Sequence, residues 1–130
     1  MRQVSIFAEN TKGAMQQVTQ MIHDASINIM GMVTNDSAEY GIVRMIVSDP
    51  DKVVEILKAK GYICKTQRVI GVEIGDKPGA LNKLLYDIDI NVDYIYISYD
   101  RKTSAPIIIL HTEDIPEVEN CLTGKGYKVL

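Results

Sequence analysis

The chain has 130 residues, 46% of them hydrophobic and 24% charged, with a formal net charge of -3. That composition fits one globular domain or two very small ones, and its scattered acids and bases, with no basic run, leave nucleic acid out as an expected partner. Cys64 and Cys121 are isolated thiols without CxxC spacing, "MRQVSIFAEN" has no apolar leader, and no apolar run approaches the ~20 residues of a membrane span, so a cytoplasmic setting with no membrane partner is expected.

In chain order, a short strand over about Gln3 to Ala8 leads into "NTKGAM" at 10–15. A helix follows, since Ala14, Met15, Val18, Met21, Ile22 and Ala25 keep one helical face. Two strands come next, Ile27 to Thr34 and Gly41 to Val47, joined by "NDSAEY", a loop rich in turn residues. "SDPD" at 48–51 then opens a second helix with acids and proline in its first turn. That helix ends at "KG", 60–61, a cationic last turn followed by the glycine of a left-handed cap, and a final strand closes the unit.

The same order is then written again. A strand over Arg68 to Ile74 meets "DKPGAL" at 76–81, and Ala80, Leu81, Leu84, Leu85 and Ile88 repeat the helical stripe. Strands Ile90 to Tyr99 and Ala105 to Thr112 flank "DRKTS"; "TEDIPE" at 112–117 opens the second helix, and "KGYKVL" closes the chain as "KGYICK" closed the first half. "INI" at 27–29 likewise returns as "INV" at 90–92. The repeat predicts an α+β protein of two domains, 1–67 and 68–130, each a ferredoxin-like βαββαβ unit with a four-stranded antiparallel sheet and two helices on one face. Val18, Ile22, Val53, Leu57, Leu84, Leu85, Val118 and Leu122 are the expected core on the helix side. Each half is small enough to need a neighbour. "TQRV" at 66–69 offers no flexible linker, and "IVRMIV" and "PIIIL" are apolar at both parities, so close pairing between halves, between chains, or both is expected.

With these residues in hand, the two copies resemble a tandem pair of ACT domains, regulatory modules that bind amino acids and control enzymes of amino-acid metabolism. The likeness spans essentially the whole chain. It rests on the [N/D]-x-P-G-x-[L/M] turn, the "IN[I/V]" stretch and the "G-[F/Y]" before the last strand; "DKPGAL", "DINV" and "KGYKVL" match. Small stand-alone tandem-ACT proteins also show "ENxxG" and "DxxxFG[IV]xR", read here in "ENTKGAM" and "NDSAEYGIVR". Lys12 departs from the pattern's proline, so the first turn lacks the fixed φ that Pro78 gives the second. The resemblance implies a ligand between two modules, held by the turn of one and the "IN[I/V]" asparagine of the other. It makes Asn10, Thr11, Gly13, Ala14 and Asn28 in the first copy, and Asp76, Lys77, Pro78, Gly79, Ala80 and Asn91 in the second, the expected ligand-binding residues.

The turn chemistry stands beside this. Gly13 and Gly79 lie where a strand turns into a helix, and backbone N–H groups at a helix start suit a carboxylate, while Asn10 and Asp76 can accept hydrogen bonds from an ammonium. The plainer alternative is that Asn10 and Asp76 are helix caps and that Asn28 and Asn91 only accommodate turns. Arg44, an ion amid "GIVRMIV", either faces an interface or ligand edge or reaches solvent from an edge strand. His23, His111, Cys64 and Cys121 lie singly, so no metal site and no cofactor are expected. No nucleophile or phosphate-loop motif appears, so no catalytic residue is named and no enzyme is expected. Tyr94, Tyr96 and Tyr99 are not an RNA-stacking platform, because aliphatic residues occupy the third strands; they are expected at an inter-domain surface. The expected function is non-catalytic regulation through a small-molecule amino acid, as a homodimer or with a metabolic enzyme. The alternative is a ligand-free protein–protein interaction module or regulatory subunit of an amino-acid-metabolism enzyme.

Overall fold

Val4, Ile6 and Ala8 stand two residues apart along strand β1 (Arg2–Glu9), so the pleat turns all three to one face, and all are buried. Val18 and Ile22, one helical turn apart on α1 (Ala14–Asp24), pack onto that face, as do Val53 and Leu57 on α2 (Pro50–Ala59). Strands β2 (Ile29–Asn35), β3 (Tyr40–Val47) and β4 (Ile63–Arg68) complete the sheet in the order β2-β3-β1-β4. Its antiparallel register sets Val4 opposite Met45 and Ile6 opposite Val43, so the core stripe continues across strands.

The second half repeats the pattern with β5 (Ile70–Glu73), α3 (Ala80–Ile88), β6 (Tyr94–Tyr99), β7 (Pro106–His111), α4 (Ile115–Gly124) and β8 (Lys128–Val129), in a sheet ordered β6-β7-β5-β8. Its core joins Ile70, Val72, Ile108 and Leu110 of the sheet to Leu84, Ile88, Val118 and Leu122 of the helices. The computed structural model describes residues 1–9, 11–35 and 40–130, and these fall into two units, Arg2–Gln67 and Arg68–Leu130, with Met1 grouped with the second. Each is an antiparallel four-stranded sheet with two helices on one face, the ferredoxin-like arrangement the repeat predicts. In β7 both parities are buried, Ile107 and Ile109 as well as Ile108 and Leu110. Asn10 and residues 36–39, which hold most of the "NDSAEY" loop, lie outside the described residues.

The second helix of each unit starts and stops as its sequence directs. Asp49 and Asp114 are the N-caps, their carboxylates accepting from the N–H of Lys52 at 3.1 Å and of Glu117 at 3.0 Å, and a proline stands in each first turn. At the other end Gly61 and Gly126 take φ of 86° and 88°. The next N–H, from Tyr62 or Tyr127, donates back to the carbonyl of Leu57 or Leu122 at 3.0 Å, so both helices end in the same left-handed motif.

Three expectations are corrected. Leu85 is 41% exposed, because the nine-residue α3 offers the sheet only the narrow stripe of Leu84 and Ile88 and leaves the neighbouring row of Leu81 and Leu85 outside it. The strands at Ile27 and Ile90 begin later, at Ile29 and Tyr94. Left-handed residues, Ser26 at φ 57° and Asp89 at φ 52°, end the preceding helices and spend the next few residues redirecting the chain. Arg44 is not on an edge strand either, since β3 runs between β1 and β2 and sets Arg44 opposite Ser5 and Val33.

Candidate functional site

Both turns that the sequence writes twice are built alike. Gly13 and Gly79 are the N-caps of α1 and α3, at φ 84° and 86°, and a Cβ at either would meet nothing within 4 Å. The requirement for glycine is therefore conformational, a left-handed residue that swings the strand into the helix. Neither helix has a side-chain cap hydrogen bond. The capping alternative for Asp76 is thus overturned, while Asn10 lies outside the described residues. Not every first-turn donor is open: the N–H of Ala14 donates to the Thr11 carbonyl and that of Ala80 to the Lys77 carbonyl, each at 3.2 Å.

Each turn faces a cleft whose other wall is the "KGY" loop of the same unit. In the first unit a cleft of about 510 Å³ runs between Thr11, Ala14 and Gln17 on one side and Lys60, Gly61 and Tyr62 on the other. Phe7 and Ile63 also line it, and Glu9 is its carboxylate. The Tyr62 hydroxyl donates toward Gln17 Oε1 at 3.5 Å, the outer limit of a hydrogen bond. A smaller recess of about 310 Å³ lies on the other side of the same turn, where Thr11 and Ala14 meet Thr34 and Asn35 of β2.

In the second unit a cleft of about 670 Å³ brings Asp76, Lys77 and Ala80 together with Lys125, Gly126 and Tyr127. Both clefts fall within the range of small-molecule sites. Lys83, one turn into α3, donates to Asp87 Oδ2 at 2.7 Å, and the Tyr127 hydroxyl donates to the same oxygen at 2.6 Å. The Lys125 ammonium donates to the Asp87 carbonyl at 2.9 Å. The hydrogen bond from Lys83, then that from Tyr127, hold the Asp87 carboxyl down at about 2. Lys83 also stands 5.2 Å from the centre of the Tyr127 ring. On the rim Lys128 pairs with Glu73 at 2.7 Å, which raises the lysine's pKa.

The two "IN[I/V]" asparagines do not line these clefts. Asn28 borders a separate recess with Thr19, Ile22 and His23, and its backbone exchanges hydrogen bonds with Ser48. Asn91 donates to Asp93 Oδ1 at 3.4 Å, while the other oxygen of Asp93 lies 2.7 Å from His111 Nδ1. His111 stacks on Tyr94; Tyr94 and Tyr96, two residues apart on β6, share one face of the sheet, and Tyr99, of the opposite parity, lies on the other and is 60% exposed. Among the described residues no three His, Cys, Asp or Glu side chains gather as a metal site requires, and no helix is long and apolar enough to cross a membrane.

Sequence reasoning missed the "KGY" loops as cleft walls. They read as helix stops, which they are, but the left-handed motif that ends the helix also fixes where the lysine and tyrosine project. The available signal was the tyrosine repeated after each glycine, a position where the cap favours an apolar contact and where both tyrosines pack against the core of their unit.

No curated protein matches this chain. Among solved structures, a protein from Bacteroides thetaiotaomicron superposes with a TM-score of 0.91 at 28% identity, over 99% of this chain and 90% of that one. The ligand-free regulatory subunit of aspartate kinase from Thermus thermophilus gives a TM-score of 0.68 at 15% identity, covering 96% and 92%. The corresponding subunit from Thermus flavus gives 0.63 at 13%, covering 95% and 90%. At those identities the two kinase subunits share the fold. A family model described as an ACT domain pair matches residues 1–124, and with two βαββαβ units in tandem the chain belongs to that family.

Proposed function

We propose that the protein is a non-catalytic regulator that binds a free amino acid at its strand-to-helix turns, forms a homodimer, and acts on an enzyme of amino-acid metabolism in the cytoplasm. The observation that carries the reading is the cleft built twice from the same two parts, an uncapped glycine-started helix and a "KGY" loop. A free amino acid has two charged poles. The positive end of the α3 dipole and Lys77 suit its carboxylate, and Asp76 suits its ammonium. Regulatory subunits of aspartate kinase share this fold, which makes a kinase of that kind the first partner enzyme to try. Homodimer formation is supported by the apolar residues left exposed on α3 and on the edge strand β6, Leu81, Leu85, Ile95 and Ile97.

A thermal-shift screen over the twenty amino acids tests it. A ligand that binds only the native state raises the melting temperature as its concentration passes its dissociation constant. Asp76→Ala should then weaken the hit by about 1 to 3 kcal/mol, the loss expected when a charged hydrogen-bond partner is removed. No shift with any amino acid, or full affinity in Asp76→Ala, would sink the reading.

A further inference from the structure

The two clefts share a scaffold and differ in chemistry, and the differences fall at corresponding positions of the repeat. Phe7 in the first corresponds to Glu73 in the second, and Ile63 to Lys128, so an apolar pair lining one cleft is replaced by an ion pair at 2.7 Å in the other. Thr11 corresponds to Lys77, and Gln17 to Lys83. Lys60 and Lys125, Tyr62 and Tyr127 are the parts that stay the same. The first cleft therefore has one lysine against the carboxylate of Glu9. The second has four lysines against Glu73 and Asp76.

Two of those four are internally matched, Lys128 by Glu73 and Lys83 by Asp87. Lys125 sits 3.6 Å from the other Asp87 oxygen, but that carboxylate already takes Lys83 and Tyr127. Among the described residues Lys77 is in no ion pair, and it projects from the turn itself. What remains is Lys77 and Lys125 around a cleft whose one carboxylate outside these pairs is Asp76, at the turn.

We infer that the second cleft selects an acidic amino acid, its ammonium on Asp76, its α-carboxylate at the start of α3 and its side-chain carboxylate among Lys77 and Lys125, while the first cleft takes a neutral one. The inference rests on the reading of the turns as amino-acid sites and adds the ligand class. Charge chooses because an amide in place of the side-chain carboxylate leaves ammonium groups without a counter-charge, whereas the first cleft has no such surplus to satisfy.

Calorimetry on the full chain with L-glutamate, L-aspartate, their amides and inorganic phosphate tests this, with backbone amide NMR shifts locating the bound ligand. One acid should bind at least about tenfold tighter than its amide, the ratio set by one charge-assisted hydrogen bond. It should shift Gly75 and Gly126 rather than Gly61, and weaken with added salt. Lys125→Gln should cost the acid about tenfold and the amide little. Lys77→Gln, on an exposed side chain, should act the same way and keeps the test open if Lys125→Gln disturbs the loop. If a neutral amino acid binds the second cleft as tightly as the acids, the inference fails while the amino-acid reading stands. If phosphate binds there as tightly as the acid, the cleft is a general anion site and the inference fails. If no amino acid binds either cleft, both readings fail together.

Discussion

Asp87 gathers three donors from two places in the second unit: Lys83 a turn away on α3, and Lys125 and Tyr127 from the loop after α4. It thereby ties the last turn of one helix to the cap of another and steadies the wall of the cleft. Because its folded pKa, about 2, lies below the ordinary 3.8, the carboxylate adds stability above that ordinary value and loses it as pH falls toward 2. Asp87→Asn should therefore melt below wild type at neutral pH, and the gap should close as pH is lowered through that window. Thermal unfolding of both proteins across a pH series checks it. A gap that stays constant with pH would mean that the residue acts through packing rather than charge. The sequence does not make this cluster legible, since Asp87 is separated from Lys125 and Tyr127 by a strand pair and a helix, and only the fold brings them together.

The elements were legible where local chemistry and burial agree. Asp-Pro or Asp-Ile-Pro followed by apolar residues at helical spacing gives α2 and α4, because cap, proline and stripe all favour the same start. They were less legible where the apolar pattern exceeds what the sheet covers. Leu84 and Leu85 are neighbours and chemically identical, yet one is fully buried and the other 41% exposed. Leu84→Ala should cost about 2 to 5 kcal/mol through lost transfer energy and a residual cavity. Leu85→Ala should cost under about 1 kcal/mol, as an exposed substitution does. Urea denaturation of the two variants separates them, and equal losses would place Leu85 in a buried surface of the assembled protein. The turns were half legible: Gly13 and Gly79 announce a bend, but the partner wall is a tyrosine dozens of residues on.

At the scale of the whole molecule, two units repeat one fold while their surfaces diverge. The second unit carries the cationic cleft and also the more apolar exterior, with Ile95 and Ile97 on the core-facing side of β6, opposite Leu110 and Ile108, yet 36% and 52% exposed. A strand at the edge of its sheet with isoleucines on show is an open template for another strand, which natural proteins cover or charge. Nothing in "YIYISY" does either: the strand contains no lysine, no proline and no acid. The homodimer proposed above would cover β6. Ile97→Lys places a charge on that side of the edge while leaving the backbone ladder to β7 intact, and the position is exposed enough that the unit should still fold. In light scattering at tens of micromolar, wild type should run as a dimer and Ile97→Lys as a monomer with an unchanged far-ultraviolet spectrum. A wild-type monomer, or a variant that stays dimeric, would move the contact away from β6 and leave its exposed isoleucines to a different partner.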